Sequence, residues 1–249
     1  MEIIQASEAF VQGEGDLVFD HKKFILRRTR DNQYFYSRTL KRISSPSATD
    51  LEELELIEIP TDHIWPIFKA GLTAAAQPLP SKTYIKRPSL IDYGDTPASY
   101  KLSDQILNEA EVCEILMEHP HPNIAHYLGC IVEDGRITGL CFVEYDMTLS
   151  EAMKHDISLD KERFLQGIEN GVSHLHGLGL IHNDLNPHNI MIQDGNPVII
   201  DFDSCKKEGQ ELGPKRGTDG WCAEKMDYAI RDNDRYGISK IREFMMKVE

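Results

Sequence analysis

His182-Asn183-Asp184-Leu185-Asn186-Pro187-His188-Asn189, followed one short hairpin later by Asp201-Phe202-Asp203, decides how this chain is read. Residues 178–181 are a short apolar run that leads into this polar loop. Residues 189–193 and 197–200 are rich in β-formers, and Asp194-Gly195-Asn196 between them is a strong hairpin signal. Such a turn brings the chain back, so Asp201 returns beside the loop that carries Asp184 and Asn189. Carboxylates gathered that closely repel one another, and a hard divalent cation with oxygen ligands resolves the conflict. The spacing suits Mg2+ and a nucleotide phosphate held beside an acceptor hydroxyl.

Working outward, Ile106, Ala110, Cys113 and Met117 recur at helical steps, which predicts a helix over about 103–118 with Leu102 and Leu107 stapling its start. Thr148 with Glu151 is a capping box that opens a second helix. A third is expected from about 159 to 176, with Phe164, Ile168, Val172 and Leu175 on one stripe, and a last from 236 to 247. Residues 24–28 and 33–37 predict a hairpin about Asp31-Asn32, and 83–86 a short strand. Residues 44–49 are expected to be a loop, 51–59 an exposed strand, and 1–17 show no strong pattern.

The loop and the Asp-Phe-Asp resemble the H-R-D-L-x-x-x-N catalytic loop and the D-F-G of the eukaryotic protein kinase superfamily. Further stretches resemble other landmarks of that family in order: Glu111-Val112-Cys113-Glu114 with His119-Pro120-His121-Pro122-Asn123-Ile124, then Val143-Glu144-Tyr145, Gly217-Thr218-Asp219-Gly220-Trp221 and Asp234-Arg235-Tyr236-Gly237. Single motifs misfire often; six in order rarely do. The resemblance implies an α+β, bilobal protein-kinase-like fold. Its expected divisions are an N-terminal segment 1–17, a β-rich N-lobe 18–146 and a mainly helical C-lobe 147–249, truncated after the helix near Asp234.

It also implies roles. Asp184 orients the acceptor hydroxyl and takes its proton, while Asn189 and Asp201 hold Mg2+ against ATP. Lys86 contacts the phosphates, with Glu111 as its ion-pair partner and Glu109 and Glu114 as rivals. Val143 is the gatekeeper, and the backbone of Glu144 and Tyr145 meets adenine. Asp234 holds the catalytic-loop backbone, and His182 is a packed structural residue.

Several positions depart from the family pattern. No G-x-G-x-x-G precedes Lys86; Gly13-Glu14-Gly15 lies too far upstream, and the small-residued stretch 71–76 is the remaining candidate to approach phosphates. Asn183 stands where the family has a phosphate-receiving arginine, so control by activation-loop phosphorylation is not expected. Asn186 replaces a lysine that steadies the γ-phosphate, whose loss should cost rate. Asp203 replaces the glycine of D-F-G, either as a second cation ligand or as a stiffener of the turn.

A chain of 249 residues is long enough for a two-lobed domain, and its net charge of −14 argues against a nucleic-acid surface. It contains no apolar run of membrane-spanning length, no basic signal-peptide start and five scattered cysteines without a C-x-x-C pair. These features point to an intracellular protein without a membrane role, probed by a protein substrate of unknown identity. The leading expectation is an ATP- and Mg2+-dependent Ser/Thr protein kinase. The alternatives are a pseudokinase scaffold, favoured by Asn186 and the missing glycines, and a small-molecule kinase of the aminoglycoside-phosphotransferase kind.

Overall fold

The computed structural model describes residues 1–13, 15–43, 51, 53–96, 100–213, 217–223 and 226–247. The chain packs into two compact units, one of Met1–Pro66 with Pro88–Asp104 and the other of Ile67–Arg87 with Gln105–Glu249. These divisions differ from those expected at 17/18 and 146/147. The reason lies in strand pairing, since the first four strands form a sheet of their own among the described residues.

The first unit is built on an antiparallel sheet of four strands in the order β1 (Glu2–Gln12), β2 (Leu17–Arg28), β3 (Gln33–Thr39) and β4 (Ile57–Ile59). The β2–β3 hairpin turns where expected, with Asn32 in the left-handed region at φ 55°. Phe24, Ile25 and Leu26 are buried in succession, so both faces of β2 are covered at its centre. β1 was not legible because its apolar and polar residues do not alternate, and most of the strand is exposed. Only the last three residues of the strand expected over 51–59 are extended. The loop expected over 44–49 lies outside the described residues.

Burial in this unit includes a charge. Lys23 is 2 % exposed and sits on β2. Its ammonium donates to the Tyr93 carbonyl at 2.6 Å and pairs with Asp95 at 2.7 Å, which compensates the desolvation. Tyr93 packs among Tyr36, His63 and Tyr100, with ring centroids 5.0 to 6.0 Å away.

The second unit begins with β5 (Thr83–Lys86), at the edge of a three-stranded sheet ordered β5, β7 (Arg136–Val143) and β6 (Tyr127–Glu133). Ala74 bridges to Cys130, the Ala75 amide donates to the Cys130 carbonyl at 2.8 Å, and Cys130 returns the bond to Thr73 at 2.7 Å. Gly129 makes this closeness possible, because a Cβ there would stand 2.7 Å from the Ala75 nitrogen. The small-residued stretch is thus fastened to β6, two strands away from β5.

A single helical turn, α1 (Thr61–Ile64), follows β4, and helix α2 (Leu102–Glu118) follows β5 and buries Ile106, Ala110, Cys113 and Leu116. After β7 come β8 (Met147–Thr148) and α3 (Leu149–Lys154), opened by the expected capping box between Thr148 and Glu151. Helix α4 (Lys161–Gly177) is capped by Asp160 and buries Phe164, Leu165, Ile168, Val172 and Leu175. Burial of each such side chain stabilises by about 2 kcal/mol. β9 (Leu180–Ile181) leads into the loop, and β10 (Ile190–Gln193) with β11 (Asn196–Ile199) forms the predicted hairpin. Asp194 and Gly195 at its turn have φ of 50° and 75°, the left-handed pair that a type I′ turn demands.

β12 (Lys206–Lys207) pairs back onto β9. The last helix, α5, runs Arg231–Lys247 and starts earlier than the expected 236, with Asp232 and Asp234 in its first turn, where carboxylates complement the exposed amides.

Candidate active site

Lys86, at the end of β5, is the centre of the site. Its ammonium lies 2.6 and 2.7 Å from the two Glu109 oxygens and 2.7 Å from Asp201 Oδ1. The same Glu109 accepts the backbone N–H of Phe202 at 3.1 Å, so one carboxylate ties the lysine to the Asp-Phe-Asp turn. The partner expected for Lys86 was Glu111, and this is corrected: Glu111 is exposed, and Glu109 is 3 % exposed. Helix periodicity explains it. Glu109 is three residues after Ile106 and four before Cys113, on the buried face, whereas Glu111 falls off that face. Weighting the buried stripe over the family resemblance at Glu111 would have found it. The third candidate, Glu114, instead binds the Thr73 amide and hydroxyl at 2.7 and 2.8 Å.

Charges in this cluster reinforce one another. Burial alone would lower the Lys86 pKa, but the carboxylates of Glu109, Asp201 and Asp203 outweigh it, and the lysine is held protonated. Glu109 moves upward: burial disfavours its charge and Asp201 and Asp203 repel it, which together exceed the relief from Lys86. Three acidic side chains sharing one ammonium leave an excess of negative charge. Asp203 also accepts the Ser204 hydroxyl at 3.1 Å, in keeping with its role as a stiffener of the turn.

Asp184 is buried in the loop and surrounded by donors. Its Oδ1 accepts the Thr218 amide and hydroxyl, each at 2.8 Å, and the Asn186 amide at 3.2 Å. Among the described residues, its Oδ2 takes only the Asn189 amide, at 3.2 Å. Oδ2 is therefore the oxygen with capacity left for an acceptor hydroxyl. Asn186, in place of a lysine, is absorbed into the loop: it donates to the Asp184 carbonyl and Thr218 hydroxyl and accepts the His188 amide at 2.9 Å. It brings no cation.

The loop itself is held from below. Asp234, 0 % exposed, accepts the amides of His182 at 3.0 Å and Asn183 at 2.8 Å and the His176 ring at 2.8 Å. The place of His176 on the last turn of α4, one residue before the helix ends, is what aims it at Asp234. His182 is fully buried, bonded to the Ile200 carbonyl and packed on Phe202. Asn183 and Asp201 adopt φ of 66° and 65°, a conformation costly for residues with a Cβ and concentrated at functional sites.

Mg2+ and ATP can be tested against these donors. The backbone bond from Ile200 to Asn189 closes the hairpin, so Asn189 and Asp201 flank its open end. Asn189 uses its amide nitrogen on Asp184, which turns its oxygen outward as a hard donor. Among the described residues no group of three or more His, Cys, Asp or Glu could enclose a metal. One amide and one carboxylate are what Mg2+ takes from protein when phosphate and water complete its shell. The residues fit the group.

At the expected hinge, Val143 ends β7 and pairs with Thr83, and the Glu144 amide donates to the Lys82 carbonyl at 2.9 Å. The Tyr145 hydroxyl accepts the His126 amide at 2.8 Å, and burial pushes its pKa up.

This assembly of a lysine–glutamate pair, a hairpin-borne aspartate and an aspartate loop anchored on a helix defines a phosphotransfer scaffold. Residues 94–231, more than half of the chain, match the protein kinase domain family, and the chain belongs to that family. It is 30 % identical over 127 residues to a serine/threonine-protein kinase/endoribonuclease IRE1 of Hypocrea jecorina, covering 43 % of this chain and 10 % of that protein. It is 36 % identical over 89 residues to a probable serine/threonine-protein kinase irlC of Dictyostelium discoideum, covering 33 % and 6 %. A MAP kinase kinase kinase SSK2 of Saccharomyces cerevisiae is 34 % identical over 125 residues, covering 47 % and 8 %. The chain thus matches a tenth or less of the length of these relatives. No helix among the described residues is long and apolar enough to cross a membrane.

Proposed function

We propose that this protein transfers the γ-phosphoryl group of ATP, with Mg2+, to a serine or threonine hydroxyl of a protein. The observation that carries this reading is the three-way contact of Lys86 with Glu109 and Asp201, because a scaffold has no physical need to align a cation with a metal-ligand candidate. Mg2+ held by Asn189 and Asp201 would neutralise charge on the transferring phosphoryl oxygens. Lys86 supplies the fixed cation for the phosphates. Asp184 accepts the proton of the acceptor hydroxyl on Oδ2, while Thr218 and Asn186 hold Oδ1 and fix the carboxylate plane. Adenine would rely on the Glu144 carbonyl and the Tyr145 amide, since the Glu144 amide is already committed. The serine/threonine preference rests on the names of the relatives.

Asn186 and the absence of a glycine-rich strand pair beside β5 favour a second reading, a nucleotide-binding pseudokinase. ATP turnover with Mg2+ on a panel of proteins, sugars and aminoalcohols separates these readings. Protein phosphorylation lost in Asp184→Asn and Asp201→Ala supports the first. Mg2+-dependent binding without turnover on any acceptor establishes the second.

A further inference from the structure

We infer that Asn108 is a positioning residue, a latch that joins helix α2 to the segment after the Asp-Phe-Asp turn and so keeps Glu109 on Lys86. This inference rests on the kinase reading above. Asn108 precedes Glu109 on α2, and its amide nitrogen donates to the Cys205 carbonyl at 3.1 Å and to the Asp203 carbonyl at 3.5 Å. Its oxygen accepts the Lys206 ammonium at 2.8 Å, which fixes the amide so that the nitrogen faces those carbonyls.

The intervening carbonyl, that of Ser204, accepts the Asn183 amide at 3.0 Å, and Asn183 in turn accepts Asn233 at 2.9 Å. Three consecutive carbonyls after Phe202 therefore each meet a side-chain amide, alternately from α2 and from the catalytic loop. The bond from the Phe202 amide to Glu109 lies at the head of this run. Freed of the latch, α2 stays tied to the turn through Glu109, in a charged cluster where the carboxylates outnumber the ammonium.

The composition of the segment fits a latch without phosphate. Residues 205–217 contain no serine, threonine or tyrosine, and Ser204 is 4 % exposed. Nothing there offers a hydroxyl to modify, and Asn183 presents no cation to receive one. Neutral amides on backbone carbonyls do the ordering, and these do not depend on an upstream enzyme.

The test compares the wild-type chain with Asn108→Asp, Asn108→Gln and Lys206→Met by hydrogen exchange and by Mg·ADP binding. Aspartate keeps the volume and the Lys206 partner but has no donor, so exchange in 202–207 should rise and Mg·ADP affinity should fall at least about fivefold. Glutamine should restore part of both, and Lys206→Met should move both in the direction of aspartate. Unchanged exchange over 202–207 in Asn108→Asp and Lys206→Met overturns the latch, whatever happens to nucleotide. A wild-type chain that binds no Mg·ADP, with exchange over 202–207 still raised by Asn108→Asp, overturns the kinase reading and the positioning role with it, while the latch itself stands.

Discussion

Asp184 shows how one carboxylate is divided between structure and chemistry. Oδ1 carries three donors and Oδ2 one. Asp184→Asn should lower turnover by about 10³-fold, the range of a lost general base, with little change in melting temperature. Thr218→Ala removes the hydroxyl donor and leaves the amide, so steady-state kinetics should show a drop in kcat with KM for ATP nearly unchanged. Glu109 gives a pH test. Its carboxyl is pushed up to about 7, so the folded chain keeps a proton that the unfolded chain releases at lower pH. That contribution to stability is complete below the ordinary carboxylate range and is lost as pH rises towards neutrality. Glu109→Gln should abolish this slope. Melting curves from about pH 5 to about pH 8 should shift in favour of the variant, relative to wild type, as pH rises.

Among elements, the hairpin and the helices were legible because their signals are local. Asp194-Gly195 dictates its turn, Thr148 and Glu151 cap α3, and the stripe from Phe164 to Leu175 is the buried face of α4. What could not be read depends on distant partners. Glu109, Glu111 and Glu114 lie on one helix, and only the position of β5 and the Asp-Phe-Asp turn selects among them. Thr218 and His176 gain their roles from contacts across more than thirty residues of chain. β1 was missed because an exposed edge strand without regular alternation is defined by its neighbour rather than by its own pattern. The support beneath the loop is open to direct measurement. Asp234→Ala would orphan two buried amides and should destabilise by about 3 kcal/mol in chemical denaturation. Gly171 on α4 lets that helix approach β11, since a Cβ would meet Ile199 at 2.8 Å and the Asn123 carbonyl at 3.0 Å. Gly171→Val should cost about 2 kcal/mol by the same assay.

For the molecule as a whole, the family resemblance located the second unit well and the first poorly. Kinase landmarks begin at Lys86, and the family match begins at residue 94, so little in the pattern speaks for Met1–Pro66. The division into units has a practical consequence. The chain has two tryptophans, and each unit holds one: Trp65 against Tyr34, and Trp221 against Phe244 on α5. Trp65→Phe leaves an indole that reports on the second unit alone. In that variant, Mg·ADP at a hundred times its dissociation constant should raise the emission midpoint by the equivalent of about 2.7 kcal/mol, and Asp201→Ala should erase the shift. Removing either indole therefore leaves one intrinsic fluorophore that follows the melting of a single unit without an added label.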